Sequence, residues 1–164
     1  MEMEIRRAEH ATDWLTARRL FGEYAASLGH DLCFQNFSHE LRTLETMYGP
    51  PGGSLLLAAI DEEDRGCVGL RRLEDGVGEM KRLYLQPEFR GGGRGLALAR
   101  AILTQGQRLG YRRVRLDTLP AMQTAIAMYR RLGFREIPPY YPNPIEGALY
   151  MELVLEPFIS ATTE

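Results

Sequence analysis

The sequence predicts a mixed α/β domain, with a mostly antiparallel sheet, one parallel strand pair and helices packed on it. Two observations carry this. From Leu55 to Leu85 three apolar stretches follow one another with short polar turns between them, the pattern of an antiparallel meander. From Met80 to Asp117 the order becomes strand, glycine-rich turn, helix, strand, and such a crossover is right-handed and joins parallel neighbours.

The elements follow in order. Residues 2–7 read as a first strand. Thr12 is placed to cap a helix that closes at Gly29, with Trp14, Ala17, Phe21, Tyr24 and Leu28 as its buried stripe. Asp31 to Phe37 reads as a loop. Ser38 is placed to cap a second helix carrying Leu41, Leu44 and Tyr48, stopped by Gly49-Pro50-Pro51-Gly52-Gly53. Strands are expected over Leu55–Ile60, Cys67–Leu73 and Val77–Leu85. Asp61 to Arg65 is the first turn between them, and the Asp75-Gly76 step marks a hairpin. The next helix should bury Leu96, Ala99, Leu103 and Gly106. Arg113 to Asp117 alternates as a strand. Pro120 suits the first turn of a helix with Met122, Ala125, Ile126 and Tyr129 on its apolar side, ended by Gly133. Two closing strands, 134–137 and 147–155, flank the loop Pro138 to Glu146. One domain over 1–157 with a loose tail at 158–164 is the expected organisation of the 164 residues.

Composition narrows the function. A net charge of -2 gives no footprint for nucleic acid. Cys33 and Cys67 lack metal-ligand spacing, so no metal site is expected and a reduced, cytoplasmic protein is the simplest reading. The acidic start, Met1-Glu2-Met3-Glu4, lacks a signal-peptide core, and the apolar run Leu55–Ile60 is too short to cross a membrane.

The chemistry centres on Arg90-Gly91-Gly92-Gly93-Arg94-Gly95 between a strand and a helix. Such a turn offers backbone N–H groups at the positive end of the helix, which suits phosphate, and glycine lets the backbone approach a ligand closely. The P-loop pattern fails because Leu96 follows Gly95, and the dinucleotide pattern fails because Leu96 stands where its third glycine should be. Arg90, Gly93 and Gly95 fit R-x-x-G-x-G, preceded by Leu85-Gln86-Pro87. Ala125, Tyr129, Gly133 and Phe134 fit A-x-x-x-Y-x-x-x-G-F. On these two blocks the chain resembles the GNAT N-acetyltransferase superfamily, most closely from about Glu79 to Phe134 and extending to Leu155. One departure is Met122, where many members carry asparagine seven residues before the tyrosine.

The resemblance implies a splayed central parallel pair, helices on both sheet faces, and acetyl-CoA as cofactor. It implies a pyrophosphate cradle at Arg90, Gly91, Gly92, Gly93, Arg94, Gly95 and Leu96, and backbone contacts to the pantetheine arm from Leu83, Tyr84 and Leu85. It implies Tyr129 as the acid that protonates the departing thiolate. An alkylamine has a pKa near ~10.4, so a base must help to deprotonate it. Glu79 is the base candidate, with Asp117 as second choice; a structural Glu79 paired with Lys81 is the competing reading. Phe34, Gln35, Lys81, Tyr140 and Asn143 are candidate acceptor contacts, with Lys81 suited to a carboxylate. The expected function is acetyl transfer to a primary amine of a small molecule. A protein or peptide acceptor and a silent acyl-CoA-binding module are the alternatives, and a homodimer is left open.

Overall fold

The computed structural model describes residues 2–29 and 36–157. The strands are β1 (Met3–Arg7), β2 (Ser54–Ile60), β3 (Glu63–Glu74), β4 (Val77–Leu85), β5 (Arg113–Thr118), β6 (Arg135–Ile137) and β7 (Leu149–Val154). They form one sheet in the order β1-β2-β3-β4-β5-β7-β6. All neighbours are antiparallel except β4 and β5. The helices are α1 (Ala11–Leu28), α2 (Phe37–Arg42), α3 (Leu44–Tyr48), α4 (Arg94–Arg108) and α5 (Gln123–Leu132).

Each face of the sheet has its own core. Leu56, Val68, Leu70, Met80, Val114 and Met151 pack with Leu98 and Ile102 of α4 and Tyr129 of α5. Leu55, Leu57, Cys67 and Tyr84 pack on the other face with Leu20 and Phe21 of α1 and with Tyr48 of α3. This explains the unbroken apolar run in β2: alternate residues enter alternate cores, so neither face can be polar. Burying one such leucine contributes about 1.5–3 kcal/mol.

Several helix boundaries differ from the expected ones. His10, not Thr12, caps α1. The carboxylate of Asp13 accepts from the backbone N–H groups of Glu9 and His10 and anchors Arg6, so it closes a capping box back onto the residues before the helix. Asn36, with φ 55°, precedes α2 in place of Ser38, and the expected second helix breaks at Thr43 into α2 and α3. β3 begins at Glu63, inside the expected turn. In α4 the buried stripe is Leu98, Ala99, Ile102, Leu103 and Gly106, with Leu96 only half-buried. α5 begins at Gln123, so Pro120 stands in the turn before it. The expected tail at 158–164 lies outside the described residues.

Candidate active site

The parallel pair is short. Val77, Gly78 and Glu79 register with Arg113, Val114 and Arg115, and there the pairing ends. Beyond it Met80–Leu85 and Leu116–Thr118 part, and a cleft opens between them. Lys81, Arg82 and Leu83 of β4 line it on one side and Asp117 and Thr118 of β5 on the other, with Tyr129, Met122, Tyr24 and Ile145 also in the lining.

A bulge in β4 shapes the first wall. Gly69 registers with Lys81 and Cys67 with Tyr84, so Val68 faces two residues, Arg82 and Leu83. Arg82 has φ 61°, a left-handed conformation that side chains other than glycine rarely adopt. Its guanidinium donates to both oxygens of Glu40 at 2.9 and 3.1 Å, with Arg82 4 % and Glu40 1 % exposed. The cation also lies over the rings of Phe37 and Tyr24, at 5.2 and 5.8 Å from their centroids.

The glycine-rich loop joins β4 to α4 through a single 3₁₀ turn at Pro87–Phe89. Gly91, Gly92 and Gly93 all have positive φ, at 93°, 64° and 78°. A Cβ built on any of the three would meet no protein atom within 4 Å, so packing does not exclude a side chain there; backbone conformation does. Gly93 caps α4; the Arg94 N–H donates to the Gly91 carbonyl at 3.3 Å, and the N–H groups of Gly95 and Leu96 in the same first turn have no acceptor within the helix. The two arginines brace this loop from within. Arg90 Nε donates to the Leu85 carbonyl at 2.8 Å, and Arg94 donates to the Phe89 carbonyl at 3.3 Å.

The two candidate bases sit differently. Glu79 is 1 % exposed and is not among the cleft-lining residues. Arg71, its cross-strand partner, pairs with it at 2.8 Å, Lys81 lies 3.8 Å away, and the Tyr140 hydroxyl donates to it at 2.7 Å. Burial pushes its carboxyl up, but Lys81, Arg71 and Tyr140 together outweigh burial and hold it below the ordinary range. Asp117 lies on the cleft wall and accepts hydrogen bonds from the Tyr141 hydroxyl and, at 3.3 Å, from Asn143 Nδ2. Lys81 also faces the cleft, where burial lowers its pKa against the pull of Glu79. Tyr129 is 6 % exposed in the α5 core and reaches the cleft; burial raises its phenol, which therefore stays protonated at neutral pH.

The structure thus brings Lys81, Leu83, Asp117 and Tyr129 together in one cleft, with the glycine loop at the end of β4. Asn143 is joined to the cleft through Asp117, whereas Tyr140 is held by Glu79 behind the cleft wall. Asn143 Oδ1 is itself taken by the Ile145 N–H at 2.9 Å. Phe34 and Gln35 lie outside the described residues. The sequence reading missed the Glu40–Arg82 pair and the bulge. Their signal was present in Lys81-Arg82: two adjacent cations in a strand buried on both faces would put one of them in a core under strict alternation.

Known proteins agree with this architecture. The profile of the acetyltransferase (GNAT) family matches residues 13–134. An uncharacterized N-acetyltransferase of Schizosaccharomyces pombe is 41 % identical over 139 residues, covering 83 % of this chain and 85 % of that protein. An IAA acetyltransferase of Azospirillum brasilense is 34 % identical over 119 residues, covering 70 % and 76 %. The crystal structure of an acetyltransferase from Streptococcus agalactiae superposes with a TM-score of 0.76 at 21 % identity, covering 93 % of this chain and 98 % of that one, a likeness of fold. The chain belongs to the GNAT family, and it is an N-acetyltransferase. Acyl-CoA is the donor this family uses. The residues fit such a group. Three glycines in left-handed conformation leave open space before the N-terminus of α4, and among the described residues no strand registers with the β5 side of β4 beyond Glu79.

Proposed function

We propose that this enzyme transfers an acetyl group from acetyl-CoA to a primary amine on a small molecule. The observation that carries the reading is the cleft where β4 and β5 part, with Tyr129, Asp117 and Lys81 on its walls and the glycine loop at its end. The loop between β6 and β7 supports a small acceptor. Tyr140 and Tyr141 tie it to Glu79 and Asp117, and its Ile145 lines the cleft, which favours a bounded acceptor site over a long groove.

Gly91, Gly92, Gly93 and the first turn of α4 would hold the pyrophosphate through backbone N–H groups, with Arg90 and Arg94 holding that turn in shape. Leu83, Tyr84 and Leu85 would offer the pantetheine arm the unpaired edge of β4. When bound, the cofactor supplies an acetyl thioester. The residues do the rest. Asp117 holds the acceptor ammonium and takes its proton, and we prefer it to Glu79 because Glu79 is enclosed by Arg71, Lys81 and Tyr140. A backbone N–H of the β4 edge would stabilise charge on the thioester carbonyl oxygen as the amine adds, and Tyr129 would supply the proton that the leaving thiolate sulfur takes. Lys81 faces the acceptor and suits a carboxylate there. Cytoplasmic placement belongs to the same proposal; among the described residues, no helix is long and apolar enough to cross a membrane.

The experiment is a panel of primary amines incubated with acetyl-CoA and the enzyme. Amine-dependent thiol release with an acetylated product supports the reading. Release with a peptide N-terminus and with no small amine would move the acceptor to the protein class.

A further inference from the structure

The bulge in β4 resets which way its side chains point. Lys81 pairs with Gly69 and Tyr84 with Cys67, and both pairs face the α1 and α3 side, where Tyr48 lies against Gly69 and Cys67 is in the core. Lys81 and Tyr84 are three residues apart, and strict alternation would place them on opposite faces. The extra residue, Arg82, absorbs the difference by taking φ 61°. It also turns its own side chain away from the α4 core and toward α2. There Glu40 binds it through two hydrogen bonds between Phe37 and Tyr24. The bulge stands where β4 leaves β5, and Leu83, the next residue, lines the cleft.

We infer that Glu40 is a positioning residue for acyl transfer: through its buried ion pair it holds Arg82 in the left-handed conformation that aims the β4 edge at the reacting carbonyl. This rests on the reading of that edge as the cofactor cleft. The chemistry is consistent. A left-handed residue other than glycine is strained, and such strain persists only when its surroundings over-determine it. A bidentate arginine–carboxylate pair, nearly out of contact with water, is directional enough to do so. α2 itself contributes no residue to the cleft lining. Its reach into catalysis passes through Arg82.

The test uses Glu40→Gln alone and two double variants, Glu40→Gln with Arg82→Gly and Glu40→Gln with Arg82→Ala. The single variant must fall below wild type in kcat with coenzyme A Kd little changed, and a wild-type kcat overturns the inference. Both double variants remove the ion pair. They differ in whether residue 82 takes positive φ without strain. Wild-type protein is first titrated with coenzyme A by calorimetry; absence of binding overturns the cofactor reading and this inference with it. Given binding, the glycine variant should exceed the alanine variant in kcat by roughly fivefold to thirtyfold, the population ratio expected from the left-handed penalty. The two coenzyme A Kd values should differ by much less than the two kcat values. Equal kcat in two folded variants overturns the positioning role and leaves the cofactor reading intact. Should the alanine protein fail to fold, Arg82→Asn replaces it, since asparagine tolerates this conformation at a smaller cost than alanine. Its kcat should then fall below that of the glycine variant, and equality again overturns the inference.

Discussion

The Tyr140 hydroxyl donates to Glu79 Oε2 at 2.7 Å across 61 positions of sequence. This contact fastens the loop between β6 and β7 to the middle of β4. Tyr141 does the same for β5 through Asp117. Tyr140, Tyr141 and Tyr150 also meet edge to face, with centroids 5.2 to 5.4 Å apart. Two adjacent tyrosines thus bridge the two strands whose separation makes the cleft. Glu79 acts in this frame as the point where Arg71, Lys81 and Tyr140 converge.

Glu79→Gln should therefore behave as a stability variant. Removing one partner of a buried ion pair costs about 3–5 kcal/mol, and Arg71 and Lys81 would lose their counter-charge. The pH dependence follows from the direction of the shift. The folded-state pKa of Glu79 is lowered, so its contribution is fully present above the unfolded value of about 4.3 and is lost as pH falls through the folded one. Denaturant melts across pH should show a constant gap between wild type and variant at neutral pH. The gap should shrink only below about pH 4.3. A gap that closes near pH 6 to 7 would mean a raised pKa and a Glu79 suited to act as base.

Gly93→Ala tests the phosphate cradle. Residue 93 sits at φ 78°, where alanine is strained by roughly 1–2 kcal/mol, and no neighbouring protein atom adds a clash. A modest drop in melting temperature should accompany a larger loss of coenzyme A affinity, measured by calorimetry. Unchanged affinity in a folded variant would place the pyrophosphate elsewhere.

Tyr129→Phe keeps the ring that packs at 5.7 Å from Phe134 and removes only the hydroxyl. kcat should fall by about 10²-fold if the phenol acts as acid, with the melting temperature nearly unchanged. Wild-type turnover would reduce Tyr129 to a core residue.

Tyr141→Phe and Asn143→Ala each release a hydrogen bond to Asp117 while leaving the glycine loop untouched. Both should change kcat/KM for the acceptor and leave coenzyme A Kd as it was. A matched loss in both quantities would make this loop a brace for the whole cleft.

Much of the fold was legible because its signals are local. The Asp75-Gly76 hairpin, the glycine loop and the alternation of β5 each lie within a few adjacent residues. What escaped was set by distant partners. Thr43 breaks the expected second helix while Leu44 and Tyr48 dock on the α1 core, a tertiary outcome with no glycine or proline at the break. Asp13 replaced Thr12 as the organiser of the α1 start because Arg6 and two backbone N–H groups reach it. In the site, Tyr129 and the glycine loop were readable as motifs. The enclosure of Glu79 was not, since Arg71 and Tyr140 approach it from other strands and loops.

The proposed role of the cleft between β4 and β5 is to join an acetyl thioester to an amine. The most direct measurement is mass spectrometry of products from enzyme, acetyl-CoA and the amine panel, with thiol release followed in parallel. An N-acetylated small amine should form in step with released thiol, and only when both substrates are present. Coenzyme A binding without any amine-dependent product would contradict it.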